Sequence, residues 1–372
     1  MQTLEMRGYE FINKMMGDLT MLTLATSQNR NYLKCGDRDM LFVSLDISPD
    51  ESTQIAPKNH HVALVIDSSD TMDGRKMEEA KEAAVNILNN LSPGDLVSVV
   101  TFDTKVKVKM SLTPASDHSI EIAIRSINPG GGTAMYGGLE QAMKLMQNVS
   151  IPGMIHKLIL FSDGEPNEPP TEDEYFNDIS TKLRKSGTTL DVIGIGDEYN
   201  ERLLKMMAEA GGGGWEHVGD NAELTRIVDT QITKMQNTVI VNPQLELELM
   251  KGAELVSIEI TMPTIQEIGP ESRYMEGNTV YIGLKDIIKD ESQVVAMKIS
   301  MPPINGKEVP FLTAAITEGG SELTHQTAVI SCSDDPGLYN SESDPSPRAI
   351  FESSEATILL GKGLEGDSEA TK

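Results

Sequence analysis

The sequence predicts an α/β protein, with a doubly wound, mostly parallel sheet inserted in a discontinuous antiparallel β-sandwich. Three observations lead there. Through the middle of the chain, short apolar runs alternate with amphipathic stretches. After residue 240 the pattern changes to period-two runs separated by turn residues. A few strand-like runs precede the α/β region, too few to bury a core alone.

The α/β region is placed at residues 60–237. Val62-Ala63-Leu64-Val65-Ile66, Leu96 to Val100, Leu158-Ile159-Leu160-Phe161 and Leu190 to Ile195 are its strands. Short apolar runs of this kind suit strands covered on both faces. Between them, Met77, Ala80, Ala84, Ile87, Leu88 and Leu91 recur at three- and four-residue spacing, and Pro93-Gly94 ends the helix. Ile120 to Ile127, Met135 to Met146, Phe176 to Leu183, Glu201 to Ala208 and Ala222 to Met235 also read as helices. Such alternation implies an open sheet with helices on both faces.

The flanks read as one sandwich in two pieces, residues 17–59 and 238–332. Leu245 to Leu249, Val256 to Ile260, Thr279 to Leu284, Val294 to Ile299 and Phe311 to Ile316 follow the α/β region. Several of them alternate apolar and polar residues, as half-buried antiparallel strands do. Met21 to Leu24 and Leu41 to Ile47 precede it and need those later strands to form a core. Residues 1–16 read as an N-terminal extension. Residues 333–372 read as an acidic linker or tail with a short helix over Ala349 to Leu360. The tail serines and Thr371 are candidate phosphorylation positions.

Acidic residues outnumber basic ones 57 to 31, for a formal charge of −26. That balance disfavours nucleic acid and anionic membranes, which reward Lys and Arg. Cys35 and Cys332 show no CxxC spacing, and a count of two suits a reducing compartment. Met1 to Thr20 lacks the apolar core of a secretion signal, and no run reaches the roughly 18 apolar residues of a membrane helix. The expectation is a soluble, cytoplasmic protein.

Three segments carry the chemistry: Asp67-Ser68-Ser69-Asp70-Thr71-Met72, the loop Gly130-Gly131-Gly132-Thr133, and Phe161-Ser162-Asp163-Gly164. The first and third follow strands. In an open α/β sheet such loops converge where ligands bind. Asp67, Ser69, Thr71, Thr133 and Asp163 offer only oxygen, which suits Mg²⁺ and also Mn²⁺ or Ca²⁺. Other features are blander. Gly211 to Gly214 has no Lys-Ser/Thr beside it and reads as a flexible turn. His61 and His156 stand at strand starts as structural groups. Met143, Met146, Met206 and Met207 fill a core. Asn148-Val149-Ser150 has the pattern of a glycosylation acceptor, without meaning in a cytoplasmic protein.

Asp67-x-Ser69-x-Thr71, Thr133 in its Gly-Gly-Thr loop and Asp163 in Ser-Asp-Gly-x-Pro-Asn resemble the metal-ion-dependent adhesion site of von Willebrand factor A domains. The resemblance extends to the order of strands and helices and covers about 175 residues, roughly half the chain. It is to intracellular, bacterial-like members with a flanking sandwich. It implies that Ser69 and Thr71 ligate the metal directly, Thr133 directly or through water, and Asp67 and Asp163 mostly through water. Two positions depart from the pattern: Thr71 replaces a serine, and Asp70 replaces a glycine and is expected to face solvent. The resemblance implies a protein-binding adaptor rather than an enzyme, with the metal completed by an Asp or Glu of a partner protein. It also suggests a multiprotein assembly, with an AAA-type ATPase among the partners. It further implies that the helix over 222–235 can shift on binding. Two alternatives stand beside it. One is a metal-dependent phosphoester hydrolase with Asp67 as nucleophile, though position 69 is a serine where a second acid would be expected. The other is a structural protein with an idle site.

Overall fold

The structure, a computed structural model, describes residues 22–50, 58–148, 151, 154–196, 199–218, 221–270 and 273–369, without the side chains of 221–225 and 362–369. The N-terminal extension (1–16), Val149-Ser150 of the acceptor pattern and Thr371 lie outside these residues.

Strands β1 (Leu22–Gln28), β2 (Tyr32–Lys34) and β3 (Asp39–Pro49) come first. The α/β part then runs β4 (His60–Asp67), α1 (Arg75–Asn90), β5 (Leu96–Phe102), β6 (Val106–Pro114), α2 (Ser119–Arg125) and α3 (Met135–Gln147). It continues with β7 (Ile155–Ser162), α4 (Asp173–Lys185), β8 (Thr188–Ile195), α5 (Glu201–Ala210), β9 (Gly212–Val218), α6 (Asn221–Asn237) and β10 (Thr238–Ile240). Next come β11 (Gln244–Leu249), β12 (Glu254–Met262), β13 (Gln266–Glu267), β14 (Arg273–Glu276), β15 (Thr279–Gly283) and β16 (Ile287–Ile288). Last are β17 (Gln293–Met301), β18 (Val309–Glu318), β19 (Ser321–Ser333), α7 (Pro336–Tyr339) and α8 (Ser346–Glu369). The chain divides into two compact units, Met1–Ile55 with Pro243–Lys372, and Ala56–Asn242.

In the central unit the strand order is β6-β5-β4-β7-β8-β9. Neighbours from β5 to β9 are parallel, and only β6, on the edge, is antiparallel. Every residue of β4 and of β8 is buried, as expected of mostly apolar strands between two helix layers. One layer packs Met77, Ala84, Ile87 and Ile227 against Val62, Leu64 and Ile66. The other packs Leu139, Phe176, Leu183 and Leu204 against Ala63, Val65 and Leu160. The chain leaves β4 toward β5 and later returns on its other side as β7. The strand order therefore reverses between β4 and β7, and the crevice at their carboxyl ends is the place for a ligand.

Gly211 to Gly214 is not the flexible turn the composition suggested. Gly212 to Gly214 open strand β9. The reason is close approach: a Cβ on Gly213 would lie 2.1 Å from the Leu190 carbonyl oxygen. The Gly214 N–H donates to Asp191 Oδ1 at 2.7 Å, and Asp191 also pairs with Lys157 in the interior. His61 and His156 are the second residues of β4 and β7, their rings edge to face at 5.6 Å.

In the flanking unit the N-terminal strands join the later ones. One sheet, antiparallel throughout, has the order β1-β3-β17-β12-β13, and the other, β14-β15-β11-β18-β19-β2, is antiparallel except for its edge strand β2. β3 pairs with β17 along its length, from Asp39↔Met301 to Ile47↔Gln293. On β3, Leu41, Val43, Leu45 and Ile47 face one way and Phe42 and Ser44 the other, yet all are buried. The second face is covered by α8.

The segment after residue 333 is therefore not a loose linker in its first part, and its helix runs well beyond Ala349 to Leu360. Phe351 is fully buried and meets Phe42 at 5.5 Å between ring centroids. Arg348 lies over the same Phe42 ring at 4.9 Å. The approach to the helix is pinned too, by Asn29 Nδ2 donating to Glu342 at 2.8 Å and Ser343 N–H donating to the Asn29 carbonyl at 2.9 Å. Composition hid this because the docking contacts, Phe351 and Ile350 with Phe42 and Ala296, follow a serine- and acid-rich approach.

The cysteines are not free. β2 runs parallel to the end of β19, with Leu33 opposite Cys332, and Cys35 and Cys332 form a disulfide across a Cα separation of 4.9 Å. The reducing compartment was inferred from the cysteine count, so the pairing removes the support for a cytoplasmic location. Among the described residues no helix is long and apolar enough to cross a membrane.

Candidate metal centre

Asp67 ends β4 and Asp163 follows β7, at the carboxyl edge where the strand order reverses. The loops are interlocked through the backbone. Gly130 N–H donates to the Ser68 carbonyl at 2.9 Å and Asp70 N–H to the Gly131 carbonyl at 3.1 Å. Asn167 and Glu168 N–H groups both reach the Thr133 carbonyl at 3.4 Å, and Thr133 N–H donates to Asn167 Oδ1 at 2.7 Å. The Gly-rich loop is thus tied to the Asp67 segment on one side and to the Asp163 segment on the other. All five expected site residues belong to this cluster.

Asp67 is fully buried and both its oxygens are engaged. Ser69 N–H donates to Oδ1 at 2.9 Å and Ser162 Oγ to Oδ2 at 2.6 Å. Burial pushes the carboxyl up to about 6, the Ser162 and Ser69 hydrogen bonds oppose that, and the nearby Asp163 charge adds to it. The Ser69 and Thr71 hydroxyl oxygens lie 3.0 Å apart, with Ser69 buried and Thr71 exposed in a short 3₁₀ turn over Asp70–Met72. The Asp70 residue is exposed, as expected.

Within this cluster, two of the protein's several buried polar atoms without a hydrogen-bond partner come together: Thr133 Oγ1 and Asp163 Oδ1. Their residues are 0% and 1% exposed. Buried polar atoms of this kind are uncommon and costly. A cation in the cluster would supply what both lack. The donor set is hard oxygen, two carboxylates and three hydroxyls. The residues therefore fit Mg²⁺, Mn²⁺ or Ca²⁺.

Reading the sequence missed the groups that hold these ligands in place. Ser162 fixes Asp67 and also accepts Gly164 N–H at 2.9 Å. Asn200 caps α5 by accepting Leu203 N–H at 3.1 Å, and its own N–H holds the Asp163 carbonyl at 2.9 Å. Lys76 Nζ lies 3.0 Å from Asp163 Oδ2. A signal for Lys76 existed. It stands in the first turn of α1, where the helix dipole disfavours a cation.

A sheet that reverses at β4 and β7, with this oxygen cluster on the reversal, defines a class of Rossmann-like domains. Residues 61–230 match the family model described as the von Willebrand factor type A domain, and the chain carries a domain of that family. An uncharacterized protein of Synechocystis is 24% identical over 281 residues, covering 74% of this chain and 65% of its own. Inter-alpha-trypsin inhibitor heavy chain H1 of Mesocricetus auratus is 26% identical over 208 residues, 51% of this chain and 22% of its own. The chain thus spans less than two thirds of the length of these curated relatives. Among solved structures, a von Willebrand factor type A protein from Catenulispora acidiphila superposes with a TM-score of 0.73 at 22% identity, over 87% of this chain and 76% of that one. The ArnB paralog VWA2 from Sulfolobus acidocaldarius gives 0.62 at 19% identity, over 94% and 86%. At these identities the likeness is one of fold, and in both it extends beyond the central unit.

Proposed function

We propose that this protein is a metal-dependent protein-binding module, an adaptor, rather than an enzyme. Asp67, Ser69, Thr71, Thr133 and Asp163 would hold a divalent cation, with Mg²⁺ the first choice and Mn²⁺ or Ca²⁺ compatible with the same oxygens. When bound, the cation supplies a positive site able to accept an Asp or Glu side chain of a partner protein. The observation that carries this reading is the pair of buried, unpartnered oxygens, Thr133 Oγ1 and Asp163 Oδ1. Domains of this family commonly mediate protein–protein interaction, which supports it further.

The residues favour binding over turnover. A hydrolase built on Asp67 would need that carboxylate to reach a substrate, and it is fully buried with each oxygen accepting a hydrogen bond, from Ser69 N–H and from Ser162 Oγ. The test is a Mn²⁺ titration followed by electron paramagnetic resonance, then addition of acetate as the simplest carboxylate. Saturable Mn²⁺ binding that Asp163→Ala abolishes, with acetate perturbing the bound ion, supports the module. Metal-dependent cleavage of a generic phosphoester would turn the reading toward the hydrolase.

A further inference from the structure

We propose that Lys76 is a built-in counter-ion of the metal centre, one that weakens binding of the cation and strengthens binding of the acid that follows it. This rests on the metal-binding reading above and adds a residue outside the motif. The ammonium of Lys76 is 3.0 Å from Asp163 Oδ2, and its side chain is only 24% exposed. Asp163 therefore divides its work: Oδ2 is held by Lys76 while buried Oδ1 has no partner and is left for the cation.

The path of the Lys76 stem is built into the fold. Gly196, at the end of β8 with φ +90°, leaves space that its own Cβ would take, 2.5 Å from Lys76 Cε. A side chain at 196 would push the lysine away from Asp163. The position of Lys76 is also unfavourable for α1 itself, whose N-terminus prefers acids. Placement against the helix dipole, through a gap kept by a glycine, onto a ligand carboxylate points to a role in the site rather than in the helix.

Charge arithmetic gives that role its sign. Asp67 and Asp163 bring two negative charges and Lys76 one positive, so the site is singly negative before the cation and singly positive after it. Without Lys76 it would be doubly negative and then neutral. The lysine thus opposes the first ligand and leaves a net positive site for a carboxylate. In the metal-free protein it also screens the repulsion between Asp67 and Asp163. Lys76 is a positioning residue in this scheme and touches neither the cation nor the partner.

The experiment uses the full chain with Lys76→Met, Lys76→Arg and Asp163→Ala, with Mn²⁺ and acetate as probes. Lys76→Met should melt lower than wild type in EDTA, bind Mn²⁺ roughly tenfold tighter, and bind acetate more weakly once loaded. Lys76→Arg should stay within about twofold of wild type for both probes, since the charge is kept. A merely structural lysine would lower the melting point and leave Mn²⁺ affinity equal or weaker, and that result overturns the proposal. Should Lys76→Met fail to fold, Lys76→Gln replaces it with the same expectations. If wild type and Asp163→Ala bind Mn²⁺ alike, the metal reading itself fails and the inference falls with it.

Discussion

Thr133 buries a hydroxyl that nothing in the protein satisfies. Replacing it by the isosteric valine removes an unpaired polar atom from the interior. Thr133→Val should therefore raise the melting point in EDTA, by an amount equivalent to about 1 kcal/mol, while lowering affinity for Mn²⁺. Opposite signs in the two conditions separate a ligand from a packing residue, and a loss of stability in both would contradict the assignment. At the other end of the sheet, His61 is wholly buried, with Nε2 2.9 Å from Ser98 Oγ and the His156 ring beside it. Burial first, and the His156 charge second, depress its pKa from 6.5 to about 4. The unfolded chain thus takes up the proton before the folded one does. Stability from this group is complete above about pH 6.5 and is lost as pH falls toward 4. His61→Gln should flatten the acid side of the melting-temperature profile, and an unchanged profile would refute the cause. The five ligand candidates were named from residue type, their order in the chain and the resemblance to von Willebrand factor A domains, and the loops that carry them meet in the structure. Ser162, Asn200 and Lys76 were not named, because their roles depend on how β4, β7 and α1 register in space.

Among elements, the apolar strands and amphipathic helices of the central unit were readable because burial on two faces, or on one, leaves a period in the sequence. β9 was not, because a strand that opens with three glycines carries no side-chain pattern. Its glycines answer to a neighbouring backbone, and Gly213→Ala should destabilise by more than the usual 1–3 kcal/mol of overpacking, since the clash is with a carbonyl oxygen. Normal thermal stability of that variant would show that β9 lies further from β8. Helix α8 escaped for a related reason. Its docking rests on Phe351 against Phe42 and on Arg348 over the same ring, within a polar stretch. Phe351→Ala should cost about 3–5 kcal/mol, read as a lower urea midpoint, and expose α8 to proteolysis. A variant with unchanged midpoint would leave α8 a passenger.

For the whole molecule, insertion of one unit within another makes the flanking sheets depend on segments far apart in sequence. The disulfide between Cys35 and Cys332 spans 297 residues. A closure of that length can stabilise by up to about 5 kcal/mol in the chain-entropy view, though strain and residual structure reduce it. Reduction, or Cys332→Ser, should lower the melting point of the flanking unit. Equal melting with and without reductant would leave the bridge without energetic weight. The fold class was legible at this scale because period-two runs on both sides of an α/β region need one another. The bridge was not, since two distant cysteines say nothing about proximity until β2 is laid beside β19.

The oxygen cluster at the carboxyl ends of β4 and β7 is proposed to hold a divalent cation. The direct measurement is thermal unfolding of wild type and Asp163→Ala in EDTA and in millimolar Mg²⁺ or Mn²⁺. A cation at a hundred times its dissociation constant adds about 2.7 kcal/mol, or roughly 5–10 °C for a unit of this size. Wild type should show that shift and Asp163→Ala should lose it. An equal response of the two proteins, or none in wild type at several millimolar, would contradict that proposal.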